Sequence, residues 1–197
     1  MREEIGWKVI FFASLVVCSH AALGQNGPEP GGTEIQVWTG GGYSVPGGTS
    51  STGVFNAGLR YGWNLTDPHG PGFLRGSFEY AVDTVPLFMI FEAGNTTYGF
   101  AISPLGLKWN FVRRGRIVPY FELGGGVLFT GNEVPPGTSD VNFTPTAAVG
   151  FHHLGNKWTW SMDVRFLHIS DGGLSGFNPG INTLQVRLGI GTFRHRH

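Results

Sequence analysis

The stretch Lys157–Ser170, "KWTWSMDVRFLHIS", changes character at every step. Trp158, Trp160, Met162, Val164 and Phe166 fall on one side of an extended chain, and Thr159, Ser161, Asp163 and Arg165 on the other, because successive strand side chains point to opposite faces. A helix repeats about every 3.6 residues and would scatter the same side chains around its circumference. The stretch therefore reads as a strand with one apolar and one charged face.

The same period of two recurs along the chain. Phe55, Ala57, Leu59, Tyr61, Trp63 and Leu65 oppose Asn56, Gly58, Arg60 and Asn64, while Leu74, Phe78, Tyr80 and Val82 oppose Arg75, Ser77, Glu79 and Asp83. Ile117, Phe121, Leu123, Val127 and Phe129 stand opposite Glu122, and Leu184, Val186, Leu188 and Ile190 opposite Thr183, Gln185 and Arg187. Eight such runs are separated by turn clusters, at 33–45, 53–65, 72–84, 97–111, 116–130, 141–153, 157–170 and 181–193. Each is long enough to cross a bilayer as a tilted strand, which takes roughly 9–11 residues.

In a soluble sandwich or a lipocalin-like barrel the charged faces would meet water. In a small membrane barrel the apolar faces meet lipid, and Arg60, Arg75, Glu79, Asp83, Glu122, Asp163, Arg165 and Arg187 pair in a narrow lumen. Run length, the near balance of acids and bases, and aromatic residues near run ends favour the second arrangement. The expected fold is all-β: an eight-stranded antiparallel transmembrane β-barrel of the bacterial outer membrane. Closure leaves no strand edge unpaired in lipid.

Composition agrees. The 197 residues carry no net charge, include 33 glycines, and are 13% charged against 41% hydrophobic. Residues 1–24 read as a signal peptide, with Arg2 and Lys8 before the apolar run Val9–Val17 and small residues in "AALG". Residues 25–32 form a Gly/Pro-rich lead, and 33–197 the barrel. The single cysteine, Cys18, lies in the signal, so the exported part holds no disulfide or thiolate metal site. No basic run marks a nucleic-acid partner. His152 and His153 lack a third ligand, so no metal or cofactor is expected.

With an N-terminus on the periplasmic side, the odd connectors "PGGTSS", "PLFMIFEAGNTT", "NEVPPGTSD" and "DGGLSGFNPG" lie outside the cell, and the generally shorter even ones, such as "VRRGR" and "LGNK", inside. His168 and Ser170 continue the apolar face of the seventh run, and Asn182 opens the apolar face of the eighth. Paired as a hairpin, these strands would bring the three polar side chains together on the outer wall at the extracellular rim. Such a cluster is either the polar end of a strand in the headgroup layer or a reactive group aimed at lipid.

"RFLHISDGGL" and "NPGIN", after a tryptophan-bearing strand in an eight-run exported chain, resemble the lipid A 3-O-deacylases of the PagL type (acyloxyacyl hydrolase family). The resemblance is densest over 163–193 and extends to the rest as architecture. It implies a serine esterase facing the outer leaflet that removes an ester-linked acyl chain from lipid A of lipopolysaccharide. Ser170 would be the nucleophile and His168 its general base. Asn182 stands where the family carries the glutamate of its triad, and Asp171 where the family carries an oxyanion-binding asparagine. Asp171 when ionised only accepts hydrogen bonds, which leaves the glycine amides after it, Gly173 among them, as oxyanion donors. The alternative is a catalytically weak or inactive barrel with a structural or lipid-binding role. The partners expected are lipid A or lipopolysaccharide and outer-membrane lipid; a homodimer stays open beside the monomer.

Overall fold

A computed structural model of the protein describes residues 27–176 and 178–195; the expected signal peptide lies outside them. Nine strands follow in order: β1 Thr33–Ser44, β2 Gly53–Asn64, β3 Gly76–Glu92, β4 Asn95–Phe111, β5 Ile117–Thr130, β6 Val141–Phe143, β7 Thr146–Leu154, β8 Thr159–Ile169 and β9 Ile181–Arg194. All neighbours are antiparallel, and β1 pairs with β9, closing the sheet. β6 and β7 both pair with β5 and make one stave bent at Thr144–Pro145, so the barrel has eight staves. The bend follows from Pro145, which has no N–H to give the ladder. Instead, the Pro145 carbonyl accepts from His168 N at 3.0 Å.

Alternation works as the sequence suggested. Trp160, Met162, Val164 and Phe166 are exposed on the outer wall, while Ser161, Asp163 and Arg165 are buried in the lumen. An apolar exterior round a charged interior suits lipid outside and nothing but side chains inside. Among the described residues no helix is long and apolar enough to cross a membrane.

The lumen is a solid ion-pair lattice. Arg60 donates to both Asp83 oxygens at 3.0 and 2.7 Å and to both Glu122 oxygens at 2.5 and 2.8 Å. Arg165 reaches Glu122 at 2.8 Å, and Arg187 Nε reaches Asp163 at 2.9 Å, with the Tyr120 hydroxyl donating to Asp163 at 2.8 Å. Nearer the chain termini, Lys108 bridges Glu34 and Glu79 at 2.5 and 2.9 Å. A cavity of about 40 Å³ lies among Asp83, Glu122, Arg165 and Arg187.

Three expectations are corrected. Arg75 is exposed, because residues 72–74 form a 3-10 turn and β3 begins only at Gly76. Most of "PLFMIFEAGNTT" is strand: β3 runs to Glu92, β4 starts at Asn95, and only Ala93 and Gly94 make the turn, with Gly94 at φ 83°. The register shift between Val85 and Phe88, at Pro86, changes the phase, so that Ala81, Asp83 and Val85 point inward before it and Phe88 and Ile90 after it. Finally, the inward face is not polar throughout. At the end away from the termini, Val54, Val85, Phe88, Ile90, Leu128, Leu167, Ile169 and Ile181 pack into an apolar plug.

Candidate active site

The plug is the floor on which the predicted residues stand. Leu167, Ile169 and Ile181 are 5%, 0% and 0% exposed, and the residues alternating with them, His168, Ser170 and Asn182, point the other way, onto the outer wall. β8 and β9 pair His168 with Asn182 directly across the ladder, which is why their side chains meet. His168 Nδ1–H donates to Asn182 Oδ1 at 2.6 Å, and the Ser170 hydroxyl donates to His168 Nε2 at 2.9 Å. One amide, one imidazole and one hydroxyl form a continuous chain of hydrogen bonds. The amide fixes the ring tautomer and leaves Nε2 with its lone pair toward the serine.

Backbone holds this chain on three sides. Phe143 N donates to the Ser170 carbonyl at 2.7 Å and Ser170 N to the Phe143 carbonyl at 3.2 Å, so the kinked stave pins the serine where β8 ends. Gly180, at φ 65°, passes so close to the ring that a Cβ there would lie 2.6 Å from His168 Cε1. The β1–β2 connector covers Asn182: Val45 N donates to the Asn182 carbonyl at 2.8 Å, and a Cβ on Gly47 would lie 2.9 Å from Asn182 Nδ2. Gly47, Phe143 and Gly180 escaped the sequence reading. Only the glycines left a trace there, as parts of turn clusters.

Asp171 and Gly173 are placed differently from the expected oxyanion site. The Asp171 carboxylate accepts from Gly173 N at 2.8 Å, from Ser175 N at 3.0 Å and from the Ser175 hydroxyl, and so caps its own loop rather than reaching Ser170 or His168. The Ser175 hydroxyl, then the Asn178 amide and the Gly173 and Ser175 amides, hold its carboxyl down at about 2. Gly173's N–H is committed to that cap. The N–H of Gly172, at φ 68°, has no partner among the described residues. His152 lies in the lumen against Lys108 and Tyr120, and no group of three or more metal-binding side chains occurs among the described residues.

A family model described as "Lipid A 3-O-deacylase (PagL)" matches residues 56–191, a span that includes the whole relay. The chain belongs to the PagL family. The solved "Crystal structure of the outer membrane enzyme PagL" is similar in fold at 19% identity, with a TM-score of 0.63 over 78% of this chain and 97% of that one. The N-terminal β-barrel domain of Pseudomonas aeruginosa OprF is 15% identical, covering 87% of this chain and 99% of that one, with a TM-score of 0.49. No curated protein matches the chain.

Proposed function

We propose that this protein is an outer-membrane serine esterase that hydrolyses an ester-linked acyl chain of lipid A, with its site at the outer leaflet. The observation that carries the proposal is the relay Asn182–His168–Ser170, at 2.6 and 2.9 Å, on the lipid-facing wall at the end away from both termini. A soluble substrate would need a group facing the lumen or the solvent; an ester inside a leaflet needs one facing lipid.

The steps follow from the donors and acceptors. His168 Nε2 takes the Ser170 proton as Oγ attacks the ester carbonyl, and Asn182 Oδ1 holds Nδ1–H throughout. The oxyanion of the tetrahedral intermediate takes the Gly172 N–H, and collapse expels the sugar oxygen, which leaves with the proton from Nε2. Water, deprotonated by His168, then releases the fatty acid and restores Ser170.

Mass spectrometry of lipid A from cells expressing the full chain tests this. Wild type should lose one ester-linked acyl chain and Ser170→Ala should leave lipid A intact; unchanged lipid A in both would sink the esterase reading. Asn182 favours a second reading. A neutral amide orients the ring but does not stabilise imidazolium, so a weak or inactive barrel that only binds lipid is the alternative. It predicts no labelling of Ser170 by a serine-reactive phosphonate.

A further inference from the structure

At the end of the barrel where the termini meet, the β2–β3 connector is folded back against the outer wall. His69 and Gly76 exchange backbone hydrogen bonds at 2.9 and 3.0 Å, and the Trp109 indole N–H donates to the Leu74 carbonyl at 3.1 Å. The His69 ring meets Trp109 edge-on, with centroids 4.9 Å apart. Trp109 follows the buried Lys108 on β4 and therefore faces outward. On the neighbouring strands Trp63 stacks on Tyr80 at 5.7 Å, and together these rings make an aromatic belt, the mark of a membrane–water interface.

Just beyond the belt the two connectors of this side run together. The Arg75 carbonyl accepts from Val112 N at 3.0 Å, which sets Arg75 beside the segment that continues into Arg113 and Arg114. Phe73, Leu74 and Val112 are 79%, 47% and 45% exposed, and neighbouring apolar groups at that exposure mark a contact with lipid or protein. Their place beside the belt decides for lipid. Arg75, Arg113 and Arg114 are exposed too, and none of them enters an ion pair among the described residues. The exposed acids at this end are Glu29 and Asp67, fewer than the cations, which also include Arg116, Lys157 and Arg194.

Guanidinium groups next to exposed apolar side chains suit the boundary of a leaflet. The apolar parts enter the acyl layer, and the planar forks take phosphate oxygens. A zwitterionic headgroup brings its own cation and gains little from three more; an anionic one brings none.

We infer that the β2–β3 and β4–β5 connectors bind an anionic phospholipid of the leaflet opposite the relay, the periplasmic one. Arg75, Arg113 and Arg114 hold its phosphate, and Phe73, Leu74 and Val112 lie among its acyl chains. The site is separate from the relay and does not depend on the esterase reading. It ties one side of the wall to its leaflet and so fixes the depth at which Ser170 stands in the other.

The test offers the purified full chain, in neutral detergent, equal amounts of phosphatidylglycerol and phosphatidylcholine, and counts the lipids retained by native mass spectrometry. Phosphatidylglycerol should be favoured at least about tenfold. Replacing Arg75→Gln, Arg113→Gln and Arg114→Gln together should bring the ratio close to parity, while Arg116→Gln with Lys157→Gln should leave it within about twofold of wild type. Phe73→Ser with Leu74→Ser should lower retention of both lipids and keep the ratio. Equal retention by wild type overturns the inference and leaves the patch to a protein partner. A preference that survives the triple variant, or that falls as far with Arg116→Gln and Lys157→Gln, also overturns it, because the charge is then not gathered at these connectors. Ser170→Ala should retain phosphatidylglycerol as wild type does, whatever becomes of the esterase reading. The leaflet is checked with Lys157→Cys, which a maleimide on a long polyethylene glycol should label only after the outer membrane is opened. Labelling in intact cells would turn this rim outward and overturn the periplasmic assignment.

Discussion

His168 is held by one neutral partner, Asn182, whose Oδ1 accepts from Nδ1–H at 2.6 Å. In the proposed esterase reaction the tautomer is right, but the imidazolium formed in the transition state would meet no charge. Asn182→Asp changes one atom and fits under the close approach of Gly47. A charged hydrogen bond is about twice as strong as a neutral one, and about 1.4 kcal/mol is tenfold in rate. Asn182→Asp should therefore raise kcat about tenfold, measured by fatty-acid release at saturating lipid; an unchanged or lower kcat would show that charge is not limiting. Gly180 acts by what it lacks. Gly180→Ala puts a methyl 2.6 Å from His168 Cε1 on a backbone at φ 65° and must turn the ring from Ser170. Misplacing a catalytic group by about 1 Å can cost about 10²-fold, so activity should fall by that order while the barrel stays folded by circular dichroism.

Among the elements, the loop from Ser170 to Gly180 depends on Asp171. Its carboxylate accepts from two amides and a hydroxyl, which holds its pKa at about 2 against an ordinary 3.8. A depressed pKa means that the cap is fully present above the ordinary value and is lost as pH falls through the depressed one. The loop should resist proteolysis equally at pH 8 and pH 5, and become cleavable between about pH 4 and pH 2. Asp171→Asn should abolish that pH step; a step that persists would place the sensitivity elsewhere. This cap could not be read from the sequence, where Asp171 occupied an oxyanion position by analogy and nothing showed that Ser175 would fold back on it. The strands could be read, because alternation survives wherever the ladder is regular. It failed between Val85 and Phe88, where the register shift inverts the faces, and at residues 72–75, where a helical turn replaced the expected strand start. The partnership of His168 with Asn182 was legible because a hairpin fixes which residues oppose each other; the approaches of Gly47 and Gly180 come from separate connectors and leave no local pattern.

For the whole molecule, the lumen lattice replaces a conventional core. Arg60 alone satisfies four carboxylate oxygens on Asp83 and Glu122. Removing one partner of a buried ion pair leaves an uncompensated charge, at about 3–5 kcal/mol. Arg60→Ala should lower unfolding stability by that amount in urea titrations of the detergent-solubilised barrel. The double variant Arg60→Met with Asp83→Asn should recover part of it, since it leaves one fewer charge unpaired. Full stability in Arg60→Ala would mean that water or neighbouring arginines take over its role.

The apolar plug beneath the relay also sets direction. Val54, Val85, Phe88, Ile90, Leu128, Leu167, Ile169 and Ile181 close the barrel at the height of Ser170, and the lattice closes it below. The proposed reaction therefore has one doorway. If it runs at this relay, the hydrolytic water must descend from the headgroup layer, the acyl chain must slide in sideways from its own leaflet, and the freed fatty acid must leave by the same lateral route.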